Sequence, residues 1–163
     1  MGAGGRRAAA RESAVADAGA RAAAVDMGPL DGLIGYALRR AQLAVFDDAI
    51  RAFAKLGLRP AQYSVLALIG HAPGLKQSQV ATALGIQRAN FVTLLDGLEQ
   101  RGLARRSAAP NDRRSHALYL TEDGGRVLRR AQAVVAAIEK RLDVKLGPGG
   151  RAQLLELLRR LSD

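Results

Sequence analysis

The segment from residue 75 to residue 102 constrains the fold more than any other part of the chain. It reads LKQSQVATALG followed at once by IQRANFVTLLDGLEQRG, two stretches with helical spacing of apolar residues that each end in glycine. Glycine ends helices readily because it adopts a left-handed conformation that other residues avoid. The pattern therefore predicts a short helix, a tight turn at Gly85 and a longer helix that ends at Gly102, which together form a helix-turn-helix.

The periodicity changes from helix to strand directly after Gly102. Residues 103–106 and 116–120 read as two strands, and the loop between them contains Pro110 and Asn111. A hairpin of this size is not stable alone, so we expect it to pack on the helices. A helix-turn-helix followed by such a ribbon is a winged helix, whose second helix can enter a DNA major groove while the ribbon reaches the phosphates or the minor groove.

Composition favours helices and an anionic partner. The hydrophobic fraction of 48% comes mainly from Ala, Leu and Val, aromatic residues make up 4%, and the 163-residue chain has the length of one domain. The formal charge of +10 favours nucleic acid or an acidic surface as a partner. The absence of Cys excludes a disulfide framework, a thiolate zinc site and a cysteine nucleophile, and two His argue against a His-rich metal site. We predict a mostly α protein without a metal or a cofactor.

Long helices are predicted on both sides of the winged helix. Between residues 30 and 56 apolar residues recur every three or four positions, as in an amphipathic helix, and Gly57 follows as its stop. Thr121 is a good N-cap for a helix that runs to about Lys145. A last helix carries five leucines between residues 154 and 161, more than one partner face needs, which indicates a helical oligomer interface.

Positive charge is concentrated near the predicted ribbon. Between residues 101 and 114 there are five arginines against one acid, Asp112. Arginine keeps its charge and is weakly hydrated, so it suits a narrow minor groove. On the second helix of the pair, Ala89, Thr93 and Asp96 lie opposite the apolar stripe, flanked by Asn90 and Val92.

Residues 58–124 resemble the MarR (multiple antibiotic resistance regulator) family of winged-helix transcription factors. The motifs that carry the resemblance are LRPAQYSVLALI, ALGIQRANFVTLLDGLEQRGLARR and the wing NDRRSHALYLTEDG, and with the flanking helices it covers residues 29–163. It implies an obligate homodimer that presents two winged helices to a pseudo-palindrome. It also implies that Arg114 enters the minor groove, that Asp112 supports it and that Arg113 lies near the backbone. The family's remaining DNA-facing positions fall on Gln87, Arg88, Ala89, Asn90, Val92 and Thr93.

The resemblance also implies a domain organisation. The first residues are rich in Ala, Gly and Arg and cannot bury enough apolar surface to offset their ordering entropy. The predicted parts are a flexible extension (1–28), a dimerisation helix (29–57), the winged helix-turn-helix DNA-binding domain (58–121) and the C-terminal dimerisation helices (122–163).

The chain departs from the family pattern at three positions. Val92 stands where the family usually has Ser or Thr, Thr93 where a basic residue is common, and Lys76 where Thr or Ser usually begins the helix before the turn. Val92 can pack against a thymine methyl group, and Asn90 or Gln87 can read adenine through two hydrogen bonds. The operator's two-fold symmetry therefore carries over from relatives, but its base sequence does not.

The resemblance further implies an effector, commonly a small aromatic or phenolic acid that lowers DNA affinity. Tyr36 and Arg40 lie four residues apart on one helix face, so a ring and a cation can meet one ligand. The alternative is that Tyr36 and Tyr63 are core aromatics and that the arginines form a solvated or DNA-facing edge. Sensing by cysteine oxidation is excluded because there is no thiol. The candidate effector residues are Tyr36, Arg39, Arg40, Tyr63 and His71.

A narrower resemblance concerns GYALRRAQ, GIQRANFVTLLDGLE and DRRSHAL, which are similar to the regulators of hydroxycinnamate and aromatic-acid catabolism. Some members of that subgroup sense the acyl-CoA thioester. Such a ligand is a polyanion, and Arg39 and Arg40 would bind it. We expect a repressor that acts in the cytoplasm. No apolar run approaches the ~18 residues that a membrane span needs.

Two other functions were weighed. An enzyme is disfavoured because Ser64 lies on a predicted helix without an oxyanion loop, although Ser64, His71 and Asp96 supply the residue types of a hydrolase triad. A winged helix used for protein contacts would present apolar or mixed residues at the wing, where this chain has Asp112, Arg113 and Arg114.

Overall fold

The computed structural model describes residues 26–109 and 112–162, and it describes the side chains of these residues except 109 and 112–115. The chain divides into two units, Met1–Ala41 and Gln42–Asp163. The predicted extension over residues 1–28 lies outside the description apart from its last three residues. In the first unit a 3-10 turn at Gly28–Leu30 precedes the beginning of helix α1, Ile34–Ala54, which starts four residues later than the sequence suggests and continues into the second unit.

The second unit is a helix-turn-helix followed by a two-stranded ribbon and two further helices, so the predicted mostly α winged-helix class is confirmed. Beyond α1 its elements are α2 (Pro60–His71), α3 (Gln77–Ala83), α4 (Arg88–Gln100), β1 (Ala104–Ala109), β2 (Asp112–Leu120), α5 (Glu122–Leu146) and α6 (Gly150–Ser162).

The core lies between α2, α4 and the ribbon. Each contributes fully buried side chains, and burial of one such aliphatic or aromatic side chain is worth about 1.5–3 kcal/mol. The apolar face of α4 packs into this core, so the opposite face of the same helix is exposed to solvent. The largest fully buried side chains are Val65, Leu66, Ile69, Val80, Phe91, Leu95, Leu98 and Leu118.

The ribbon is longer than the sequence pattern indicates. The predicted strands ended at Arg106 and began at His116, whereas the observed strands pair Ala104 with Leu120 and continue outward to Ala108 opposite His116, with an irregularity before Ala109. The predicted boundaries were wrong because backbone ladder bonds extend the strands through Ser and Ala, which carry little strand propensity of their own.

A third backbone segment, which the sequence did not reveal, supports the ribbon from the side of α3. The Gly74 N–H donates to the Leu118 carbonyl (2.9 Å), and the Leu118 N–H donates to the Leu75 carbonyl (3.0 Å). Lys76 and Ala117 form an isolated antiparallel bridge. The chain entering α3 is therefore tied directly to β2.

The sequence motif LTEDG forms the start of α5. The Thr121 hydroxyl accepts a hydrogen bond from the Gly124 N–H (2.9 Å), which confirms the predicted N-cap, and donates to the Gly102 carbonyl (2.5 Å). A Cβ on Gly124 would lie 1.8 Å from the Leu103 carbonyl oxygen. Threonine and glycine at this spacing therefore let the helix begin in contact with the strand that starts the wing.

Charged side chains connect α5 to its neighbours. Arg141 donates to Asp48 on α1 (2.6 Å), and this hydrogen bond lowers the pKa of the Asp48 carboxyl. Arg151 on α6 donates to Asp143 (2.8 Å) and Glu139 (2.6 Å), and the hydrogen bond to Asp143 is the main reason why the pKa of Arg151 is raised. These pairs orient α1 and α6 along α5.

Candidate DNA-binding surface

The recognition helix is α4, and its solvent face carries the residues that the resemblance singled out. The turn before it closes through a hydrogen bond from the Ile86 N–H to the Ala81 carbonyl (2.9 Å), with Gly85 at a positive φ of 63°. Phe91, Leu95 and Leu98 anchor the other face in the core. The exposed residues at its start are Gln87, Arg88, Ala89, Asn90, Val92 and Thr93.

Asp96, which the helical spacing places opposite the apolar stripe, is less exposed than Ala89 and Thr93. It is half-buried, and its carboxylate accepts a hydrogen bond from Arg106 Nη2 (2.7 Å). The 100° spacing that placed it opposite the stripe is correct for the helix but carries no information about the strand that packs beside it.

Three of the five arginines near the ribbon have partners within the chain. The two terminal nitrogens of Arg101 donate to the carbonyls of Gly57 (2.6 Å) and Leu56 (3.2 Å). The Arg105 guanidinium lies 4.8 Å from the centroid of the Tyr119 ring. Arg106 has partners as well, as described above. Fewer of these arginines are therefore available to DNA than their number in the sequence suggests.

The wing tip was predicted to contact DNA through Asp112, Arg113 and Arg114. The structure places their backbone in β2, and their side chains lie outside the described part of the chain. The predicted support of Arg114 by Asp112 therefore stays a prediction.

A polar groove of about 450 Å³ adjoins the recognition helix, between the starts of α3 and α4 and the inner part of β2. Cations and hydroxyls line its rim, and Phe91 and Ile86 form part of its wall. The sequence pattern did not identify the contributions of α3 and β2, because only the fold brings them beside α4. Its polar and basic lining residues are Lys76, Gln77, Ser78, Thr82, Arg88 and His116.

The predicted effector residues fall in both units. In the first, Arg40 Nη1 donates to the Tyr36 hydroxyl (3.5 Å), and Arg39 is exposed. In the second, Tyr63 stacks on Phe53 with ring centroids 5.2 Å apart, which gives it a structural role, and His71 is exposed at the end of α2. A ligand role for each of them stays a prediction.

Two of the three residues considered for catalysis, Ser64 and Asp96, are bonded to other groups. The Ser64 hydroxyl donates to the Pro60 carbonyl (3.3 Å), and Asp96 is bound to Arg106. Over residues 26–109 and 112–162, no three His, Asp or Glu side chains are grouped as metal ligands, and none of the helices there is long and apolar enough to cross a membrane.

An apolar-anchored recognition helix with an exposed polar row, beside a ribbon and a basic groove, defines a DNA-binding winged-helix protein. A MarR family model matches residues 56–115. The putative transcriptional regulatory protein for the hcr operon of Thauera aromatica is 34% identical over 135 residues, which are 82% of this chain and 81% of that protein. The chain belongs to the MarR family.

Solved structures of the transcriptional repressor CouR show the same fold. CouR bound to a 23-mer DNA duplex has a TM-score of 0.82 and 48% sequence identity, covering 86% of this chain and 99% of that chain. CouR bound to p-coumaroyl-CoA has a TM-score of 0.79 and 46% identity, covering 85% and 98%. These relatives confirm the narrower resemblance to regulators of aromatic-acid catabolism.

The chain is accordingly a DNA-binding transcriptional repressor. It is a regulator rather than an enzyme, and its family is dimeric. The alternative of a winged helix used only for protein contacts is set aside by the same relatives.

Proposed function

We propose that a homodimer of this chain represses transcription by occupying a pseudo-palindromic operator, and that a hydroxycinnamoyl-type CoA thioester releases it. The observation that carries the proposal is the exposed polar row of α4 beside a basic groove, in a chain 46–48% identical to a repressor solved with DNA and with p-coumaroyl-CoA. The two recognition helices have to lie about 34 Å apart to read adjacent major grooves, so an effector that changes this spacing weakens both half-sites together.

The operator contacts are divided between base readout and backbone contact. Asn90 and Gln87 offer the amide groups that read adenine, and Val92, which is 38% exposed, offers an apolar surface to a thymine methyl. The groove beside them, with Arg88 and His116 at its rim, suits a backbone phosphate. Arg113 and Arg114, with Asp112, serve the wing contact.

Residues 29–57 and 122–163 supply the dimer interface in this proposal. The support is the exposed apolar surface that α1 and α6 keep in the single chain, since an unassembled protein rarely exposes a large apolar patch. The exposed large apolar side chains of these two helices are Ile34, Leu38, Leu43, Phe46, Ile50, Leu154, Leu155, Leu157 and Leu161.

Arg114→Ala is expected to weaken binding to all DNA sequences and to lower the slope of log affinity against log salt by about one unit per half-site, because each subunit of the dimer loses one phosphate-neutralising cation. Fluorescence anisotropy with the upstream intergenic DNA of its own gene, titrated with salt, measures this. Arg160→Ala, which removes an exposed arginine from α6, is the matched control and should leave the slope unchanged. An unchanged slope for Arg114→Ala would show that the wing tip does not touch the backbone.

The effector contacts are proposed for Tyr36, Arg39 and Arg40, with Tyr63 and His71 as further candidates. The Tyr36–Arg40 contact already joins an aromatic ring to a cation, the two groups that an aromatic thioester with phosphates requires. Arg39, exposed on the same helix, adds a second positive charge.

Arg40→Ala is expected to raise the concentration of p-coumaroyl-CoA needed for half-release by at least about tenfold, since a hydrogen bond to a charged group contributes about 1.5–3 kcal/mol. Operator affinity without the effector should be retained. Arg51→Ala, an exposed arginine further along α1, is the matched control. Release by free p-coumarate or CoA at the same concentrations as the thioester, or equal sensitivity of Arg40→Ala and wild type, would contradict this assignment.

The same proposal places the protein in the cytoplasm. The support is the match to DNA-binding transcription regulators, which act where the DNA is.

A further inference from the structure

We propose that Arg106 is a positioning residue that holds the wing at a fixed angle to the recognition helix. Its Nη1 donates to Glu99 Oε2 (2.6 Å), its Nη2 donates to Asp96 Oδ1 (2.7 Å), and its backbone N–H donates to Glu99 Oε1 (2.7 Å). One strand residue thus makes three hydrogen bonds to two carboxylates on successive turns of α4. We refer to Arg106, Asp96 and Glu99 as the wing clamp.

The geometry of the wing clamp suits arginine alone. A planar guanidinium can bind two separate carboxylates in fixed directions, whereas a lysine ammonium is a single point charge on a flexible stem. The Arg106 side chain is 22% exposed, so solvent screens these bonds less than it screens a pair on the open surface. Its Nε is buried without a hydrogen-bond partner among the described residues, which leaves the two terminal nitrogens to fix the orientation.

The position of the clamp in the ribbon explains why it controls the wing. Arg106 pairs with Leu118 on β2, and Leu118 is fully buried in the core. The base of the ribbon is thereby held by Leu118 and the clamp beside α4, and by the bridge between Lys76 and Ala117 at the start of α3. Small rotations at the base become larger displacements at the tip, so a bond at this point sets where the tip lies.

The clamp also controls charge at the DNA-binding surface. Asp96 lies on the helix that reads DNA, where an uncompensated carboxylate would repel phosphates. Arg106 pairs with it and with Glu99, so its one positive charge offsets one of the two negative charges, and the arginine is in turn withheld from the DNA. Arg106 therefore acts on binding through the wing and through Asp96, and not as a phosphate contact.

A distance measurement tests the clamp without DNA. The chain has no Cys, so Gln100→Cys at the exposed end of α4 and Ala108→Cys on exposed β1 give two spin-label sites, measured by pulsed EPR in dimers diluted with unlabelled chain. We expect one narrow distance distribution with Arg106 and a broader or shifted one with Arg106→Gln or Arg106→Lys. The neighbouring Arg105→Gln removes the same charge and should keep the narrow distribution. If the distance distribution of Arg106→Gln has the same width and mean as that of the protein with Arg106, the proposal is wrong.

Breaking the clamp from its acidic side tests the consequence for binding, and this part rests on the proposed operator function. Asp96→Asn with Glu99→Gln removes two negative charges near DNA, so charge alone would tighten all binding. We expect instead that affinity for the upstream intergenic DNA falls about tenfold or more, while affinity for a shuffled duplex of equal length stays the same or rises. Tighter binding to both duplexes would overturn the proposal.

The two experiments separate the clamp from the operator proposal. If the unsubstituted protein does not prefer the intergenic DNA over the shuffled duplex, the operator proposal fails there, and the EPR distances still decide the clamp. Thermal unfolding of each variant, followed by circular dichroism, identifies any variant that fails to fold. The substitutions of Arg106 on β1 and those of Asp96 and Glu99 on α4 break the same hydrogen bonds from opposite sides, so each set checks the other.

Discussion

Gly124→Ala is expected to abolish stable folding or to lower Tm by about 10 °C or more. The added Cβ would lie 1.8 Å from the Leu103 carbonyl oxygen, a backbone atom that cannot move aside without displacing the start of the wing. Clashes of this kind belong to the small group of single substitutions that cost more than about 4 kcal/mol, and 1 kcal/mol corresponds to about 2–4 °C of Tm in a chain of this size. Thermal unfolding followed by circular dichroism measures the effect.

The next residue provides the control. A Cβ on Gly125 meets Arg129 Nη1 at 3.7 Å, which is ordinary contact with a flexible side chain. Gly125→Ala should therefore be stabilising by about 0.5–1 kcal/mol, because alanine loses less backbone entropy than glycine in a helix. If Gly124→Ala unfolded at the same temperature as Gly125→Ala, the close contact between α5 and the wing would not exist in solution.

The second large effect is expected from charge placed on the apolar face of α6. Leu154 and Leu161 lie two turns apart on one face and are 40% and 58% exposed in the single chain. Leu154→Asp with Leu161→Asp should convert the dimer to monomers, because two carboxylates would be buried without partners in the interface. Affinity for the intergenic DNA should fall at least about a hundredfold, since the two half-sites are no longer held by one molecule.

Sedimentation equilibrium reports the assembly state, and fluorescence anisotropy reports the binding. Ala152→Asp adds the same charge on the opposite, exposed side of α6 and should leave both unchanged. If the double variant remained a dimer, α6 would not be part of the dimer interface.

The sequence predicted the fold well where the determinants are local. Glycine at positions 85 and 102 ends the two helices at the places where the structure has positive φ, and the Thr121 cap begins α5 as expected. The apolar stripe of α4 identified its buried face, and the opposite face is exposed as expected. These features depend on neighbours within about four residues, which periodicity and capping rules describe.

The sequence was a poor guide where partners are distant in the chain. Arg101 binds carbonyls 44 and 45 residues away, and the segment at Gly74–Lys76 pairs with β2 some 40 residues later. A count of arginines cannot distinguish a cation that is held by the protein from one that is available to DNA. For the same reason the helical spacing of Asp96 did not reveal its partner, Arg106, which lies on the strand beside it.

The Arg101 contact has a mechanical consequence. Its guanidinium joins the carbonyls just beyond α1 to the first residue after α4, so a helix with exposed apolar surface and α4 are connected by two direct hydrogen bonds as well as by the chain. A displacement at the end of α1 that preserves both bonds would therefore also displace the adjoining end of α4.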